Sequence, residues 1–255
     1  MITIKTPQDI EILREGGRRL AHVIREVAKE AKPGVATSEL DRIAHALITK
    51  GGDTPSFLNY KPKSAEVGYP ASICVSVNDE VVHGIPKTDK LLKDGDIVSI
   101  DIGLIHKELF VDAAITIPVG EISEGAKKLL ETTEDALSKG IAAARGGNTT
   151  GDIGFAIQNF IKPYGYGIVE ELCGHGVGYA VHEDPFVPNF GIKGRGARLK
   201  PGMVIAIEPM VNLGSKKIVL DKDGYTYRTI DGKLSAHFEH TILIGDGEPE
   251  ILTKI

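Results

Sequence analysis

An α/β fold of α+β character, with two similar halves sharing one sheet, is what this sequence predicts. Three observations carry the prediction. A long helix, a shorter helix and a run of strands follow one another in that order, and then do so again. The second run echoes the first at residue level. The strand text alternates with period two, as a sheet with one buried face requires. At 255 residues, 42% apolar and 25% charged, the chain has material for a sizeable core, expected as a single domain over 1–255 with internal halves of about 1–120 and 121–255.

Thr6 as N-cap, Pro7 at the first helical position and Asp9 at the third open a helix along Ile10, Leu13, Leu20, Ile24, Val27 and Ala31, which should stop near Pro33-Gly34. A shorter helix is expected from about Thr37 to Lys50, with Leu40, Ile43, Leu47 and Ile48 on one stripe and Gly51-Gly52 after it. Strand text follows from Ile73 to Val82. The segment KDGDIVSIDIGLIHKELFVDAAITIPVG then reads as two alternating strands joined by a tight turn at His106-Lys107. A second long helix, about Ser123 to Arg145, ends at Gly146-Gly147, and a second short one runs from about Thr150 to Lys162. The echo extends to sequence: LKDGDIVSID at Leu92–Asp101 matches LKPGMVIAIE at Leu199–Glu208, and VHGIP at Val82–Pro86 matches VHEDP at Val181–Pro185. Such self-similarity indicates a duplicated unit whose loops have diverged.

Composition excludes several classes. There is no apolar run long enough for a signal peptide or a membrane span, so the protein is expected in the cytoplasm. Two cysteines, Cys74 and Cys173, imply neither a disulfide framework nor a thiolate zinc site. A net charge of −5 with mixed signs and no long basic run argues against nucleic acid as a direct substrate.

The chemistry starts in the hairpin. A two-residue turn at His106-Lys107 would pair Ile105 with Glu108 and bring Asp101 directly opposite Asp112 on one face, with Val98, Ile100, Ile102 and Leu104 on the other. Adjacent carboxylates destabilise a sheet unless a cation lies between them. A hairpin carboxylate pair can simply face solvent, but the recurrence argues otherwise. Glu208 stands in the second half where Asp101 stands in the first, and Glu239 lies on the later strand AHFEHTILI. One carboxylate pair from each half would put four negative charges in one cleft, tolerable around two divalent metals. His175, between glycines in CGHGVG, completes a five-residue set. One imidazole among oxygen ligands points to Co, Mn, Fe or Zn rather than calcium. His83 and His182, at matched positions in VHGIP and VHEDP, are candidates to flank the centre, each taken alone being as readily structural. His237 and His240 flank Glu239 with roles left open. His22, His45 and His106 read as surface residues.

VHGIP, the Asp101–Asp112 hairpin, CGHGVG, VHEDP, AIEPMV and FEHTI, in this order and spacing, resemble the type I methionine aminopeptidases over nearly the whole chain. The resemblance implies the pita-bread fold: two pseudo-symmetric halves forming a curved antiparallel sheet covered by helices. It implies a cytoplasmic metallo-exopeptidase of protein maturation that removes the initiator methionine from nascent polypeptides with a small second residue, through a hydroxide bridging two divalent metals. Asp101 would chelate one metal, His175 and Glu208 the other, and Asp112 and Glu239 would bridge. His83 and His182 would contact the scissile amide and the tetrahedral intermediate, and Glu208 would shuttle the proton. Phe57, Tyr60, Tyr69, Cys74, Val181 and Tyr225 would form the methionine pocket. Partners would be nascent peptide N-termini and, through them, the ribosome; a monomer away from membranes is expected.

This chain departs from that family in the pocket. The stretch KPKSAEVG between Tyr60 and Tyr69 is longer than in many members, and Tyr225 stands where an indole is usual, the chain having no tryptophan. The 32 residues between His175 and Glu208 leave no room for the helical insertion of type II enzymes. Two alternatives stand beside this reading: an X-Pro aminopeptidase or prolidase of the same fold, which usually carries an additional N-terminal domain, and a metal-free pita-bread binding protein. Five intact ligands argue against the last.

Overall fold

Both expected pairs of helices form. The computed structural model describes residues 2–62 and 66–255, so 63–65, within the stretch expected to be lengthened, lie outside the described residues. The helices are α1 (Pro7–Glu30), α2 (Thr37–Lys50), α3 (Glu124–Ala143) and α4 (Thr150–Ile161). Thr6 accepts from the Asp9 N–H while the Asp9 carboxylate accepts from the Thr6 N–H, satisfying two of the free donors at the start of α1. Thr149 and Asp152 repeat that box at α4.

In the first half the strands are β1 (Thr54–Pro55), β2 (Cys74–Val77), β3 (Glu80–Val82), β4 (Ile97–His106) and β5 (Leu109–Pro118). The strand expected over Ile73–Val82 is thus two, parted at Asn78-Asp79 where Asn78 takes a left-handed φ of 57°. The second half holds β6 (Gly167–Ile168), β7 (Cys173–Gly176), β8 (Glu183–Pro188), β9 (Val204–Ile207), β10 (Met210–Asn212), β11 (Ile218–Leu220), β12 (Tyr227–Thr229), β13 (Ser235–His237), β14 (Glu239–Leu243) and β15 (Glu250–Ile251).

In the main sheet, neighbouring strands run in the order β2, β4, β5, β14, β9, β7, all antiparallel. The second half mirrors the first about the β5–β14 seam, which is the arrangement duplication requires. Each half has its own core. Leu13, Leu20 and Ile24 of α1 and Leu40 and Ile48 of α2 pack on Val98, Ile100, Ile102 and Leu104 of β4. Leu129 and Leu137 of α3 and Ile153 and Ile157 of α4 pack with Ile205, Ile207 and Ile242. Burying each such side chain contributes roughly 1.5–3 kcal/mol, so the helices hold one face of the sheet and leave the other for polar side chains.

The backbone ladder at the seam is only two pairs long, Glu239 with Ala114 and His240 with Ala113. Hydroxyls extend it. Thr241 Oγ1 accepts from the Asp112 N–H at 2.9 Å and donates to the Asp112 carbonyl at 2.7 Å. Thr116 does the same for His237, at 2.8 and 2.7 Å.

The hairpin register differs from the expected one. The turn is Lys107-Glu108, with φ of 46° and 70°, so His106 pairs with Leu109, Asp101 with Ala114 and Asp112 with Gly103. Two positive φ values are what a two-residue hairpin turn demands. His106 is not a turn residue because its ring is wanted inside: it is buried, with Nδ1 2.7 Å from Asp53 Oδ1. Moving the turn by one residue shifts pairing by two, so Asp101 and Asp112 become diagonal neighbours and stay on the same face. Among the described residues no helix is long and apolar enough to cross a membrane.

Candidate active site

The acidic residues meet along one row of the sheet. Asp101 on β4 lies opposite Ala114 on β5, and Ala114 lies opposite Glu239 on β14. The small Ala114 side chain leaves space between the two carboxylates. Asp112 stands one pleat further along β5 on that face, and Glu208 follows Ile207, the residue of β9 paired with His240. From β7 comes His175. Its flanking glycines are required by backbone approach: a Cβ at Gly174 would come within 2.3 Å of the Ala206 carbonyl oxygen and one at Gly176 within 2.2 Å of that of Asp184. Asp112, His175 and Glu239 each present a ligand atom within 4.8 Å of the others.

These groups are nearly dry, and their protonation shows it. Burial, and then the charges of Asp112 and Glu208, push Asp101 well above the usual carboxylate range. Burial and Glu208 raise Asp112 to about 8, and burial raises Glu208 to about 8. Glu239 is driven up by burial and by Asp112, Glu208 and Asp101 together. Asp101 Oδ1, Asp112 Oδ1 and Glu239 Oε1 are buried without a hydrogen-bond partner among the described residues. Orphaned acceptors in a dry, four-carboxylate cluster are costly, and a bound divalent cation removes that cost. His175 fits the same purpose. Its Nδ1 lies 2.9 Å from the Gly176 carbonyl oxygen, which can only accept, so the proton sits on Nδ1 and Nε2 keeps its lone pair, 3.5 Å from Glu208 Oε1. Burial holds the imidazole neutral, with a pKa of about 3. The donor set suits a first-row divalent metal.

The cluster forms one end of a cavity of about 220 Å³. The rest of its wall is Phe57, Tyr60, Pro62, Tyr69, Cys74 and Tyr225, with His83 and His182 at the side. Val181 packs into the same apolar cluster as Phe57, Tyr69, Cys74 and Tyr225. All the residues expected at the site are therefore together. His182 is exposed at the rim, its Nδ1 2.8 Å from the Tyr60 hydroxyl and its ring 4.4 Å from that of His175. Half-buried His83 takes a left-handed φ of 58°, and burial, His182 and His237 lower its pKa to about 4. A wider, more open cavity of about 630 Å³ adjoins, sharing His83, His175, His182 and Glu208 and adding Cys173, Phe186 and Met210.

Two histidines left open by sequence separate cleanly. His237 is buried with Nε2 3.6 Å from Glu208 Oε2, whereas His240 points to the other face of β14 and meets Thr253 at 3.1 Å. Sequence reasoning missed Pro62, the Thr241 clasp on Asp112, and Asn189, whose amide donates to the Glu208 carbonyl at 3.0 Å. No local signal marks a threonine or asparagine for such work, because the partner comes from a distant strand.

Comparisons with known proteins agree with this geometry. Residues 11–246 match the model of metallopeptidase family M24. The chain is 49% identical over 255 residues to methionine aminopeptidase 1 of Bacillus subtilis, covering all of both chains. It is 42% identical to a methionine aminopeptidase of Thermotoga maritima of known structure, with full mutual coverage and a TM-score of 0.96. Against a prolidase of Pyrococcus horikoshii the values are 26% and 0.77, with 98% of this chain covering 63% of that one. The pita-bread fold expected from the motifs is therefore the fold observed.

Proposed function

The chain belongs to metallopeptidase family M24, and from that premise we propose that it is a methionyl aminopeptidase removing the initiator methionine from nascent polypeptides whose second residue is small. The observation that carries this reading is the shape of the cleft. A cavity of about 220 Å³, below the roughly 300–1,000 Å³ of sites for larger ligands, has room for one side chain. Carboxylates close one end and an apolar, sulfur-tolerant wall lines the rest. The wider cavity beside it would take the chain beyond the scissile bond. A pocket that ends after one residue accounts for an exopeptidase.

Asp101, Asp112, His175, Glu208 and Glu239 would hold two divalent metals, whose four positive charges balance the four carboxylates. When bound, such metals supply a Lewis acid and a water nucleophilic at neutral pH. Glu208, beside that water, would take its proton on the carboxylate and pass it to the leaving amine. The Tyr60 hydroxyl lies 2.8 Å from His182 Nδ1; donating there, it would leave the ring proton on Nε2, available to the developing oxyanion. His83 faces the scissile amide from the other half. The protein works in the cytoplasm, as a monomer, on chains emerging from the ribosome.

A metal-supplemented assay comparing Met-Ala, Met-Lys and Ala-Pro N-termini tests the reading. Cleavage of Met-Ala alone is expected. Preference for Ala-Pro would transfer the chain to the prolyl peptidases, and cleavage of none would make it a binding protein.

A further inference from the structure

The loop carrying Val181 and His182 is held by the first residues of the chain. Lys5 is 3% exposed, with Nζ 2.8 Å from Glu183 Oε2. Thr3 joins the pair, accepting from Lys5 Nζ and donating to Glu183 Oε2 at 2.5 Å. The other oxygen of Glu183 accepts from the Tyr179 N–H and, at 3.0 Å, from the Ala180 N–H, closing the loop on itself. Gly178 lies flat on the lysine stem, where a Cβ would come within 2.2 Å of Lys5 Cε. The Tyr179 ring centroid is 4.3 Å from Lys5 Nζ, and its hydroxyl donates to Asp9 Oδ2 at 2.6 Å. The strap is itself fixed, since the Lys5 N–H donates to the Gly202 carbonyl at 2.8 Å and α1 starts at Pro7.

Residues 178–182 have no helix or strand of their own; the Phe110 N–H donates to the Gly178 carbonyl at 2.8 Å and Val181 packs in the pocket wall, and the strap contacts add the polar tie at Glu183, next to His182. Glu183 is bonded to His182 along the chain, and a rotation of its backbone carries the imidazole with it. An exposed ion pair would fix little, because water screens it and two long side chains must be ordered to form it. A buried one is different, because loss of either partner strands a charge.

We propose that Lys5 and Glu183 are positioning residues for His182: the N-terminal strap sets the place of the catalytic loop through a buried ion pair. The inference rests on the aminopeptidase reading in one respect, that His182 acts on the substrate. It explains why a lysine, a residue almost never buried without a partner, is buried here beside the site but outside it.

The test is a double-mutant cycle on the metal-loaded enzyme. Lys5→Met alone, and Lys5→Met with Glu183→Gln in case the stranded carboxylate prevents folding, should each lower kcat on a Met-Ala peptide about tenfold, with bound metal unchanged. In a His182→Ala background the same changes should cost less than about twofold. Amide exchange at Tyr179 and Ala180 should quicken in the strap variants, a readout independent of turnover. Equal losses in both backgrounds, a parallel loss of metal, unaltered exchange, or a His182→Ala variant with full activity would each overturn the proposal. A parent enzyme inactive on every peptide, with exchange quickened as expected, would instead remove the assigned activity and leave the strap holding the loop.

Discussion

Four acids within one cleft, three of them buried and Glu208 partly so, are held above their ordinary pKa values, and the orphaned oxygens of Asp101, Asp112 and Glu239 call for a cation there. Asp112→Ala or Glu239→Ala removes one proposed ligand, the first from β5 and the second from β14 across the seam. Each should lower metal affinity and Met-Ala cleavage by roughly a hundredfold or more, measured by metal titration and peptide assay; full activity in either would sink the ligand assignment. His182→Ala tests a different kind of residue. Its loss should lower kcat about a hundredfold while metal content stays constant, and a matching loss of metal would show the ring to be structural.

At the scale of elements, the β4–β5 hairpin is the instructive case. Period-two alternation puts Asp101 and Asp112 on one face in either register, but the turn falls at Lys107-Glu108, one residue later than the sequence suggests. Lys107 and Glu108 carry positive φ values that neither residue favours. Replacing them together, Lys107→Asn with Glu108→Gly, should stabilise the protein by about 1 kcal/mol and leave activity unchanged, since the turn lies at the far end of the hairpin from Asp101. Thermal melting and the peptide assay check both halves of that expectation. The register itself could not be read locally, because it depends on His106 turning inward to Asp53, a partner 53 residues away.

For the whole molecule, the site makes stability depend on pH and metal together. Asp112 and Glu208 have folded pKa values of about 8, raised from ordinary values of 3.8 and 4.5. Each therefore contributes stability that is fully present below its ordinary value and lost as pH rises through about 8. His175 and His237, lowered by burial from 6.5 to about 3, contribute stability that is present above 6.5 and lost as pH falls through about 3. Above pH 6.5 only the acids still act, so the melting temperature of the metal-free protein should fall between about pH 6.5 and pH 8. Divalent metal replaces those protons and should abolish the decline. A metal-free melting temperature that is flat across this window would show the acids to be solvated.

Sequence by itself determined the helices, the duplicated order of elements and the identities of the five proposed ligands. Capping residues and hydrophobic period are local, and matched motifs such as LKDGDIVSID and LKPGMVIAIE can be compared without coordinates. Only the tertiary structure decided the hairpin register, the seam where Thr241 clasps Asp112, the separation of His237 from His240, and the strap from Lys5 to Glu183. Each of these is a contact between residues distant in sequence whose partners carry no distinguishing composition, so the packing of the two halves alone selects them.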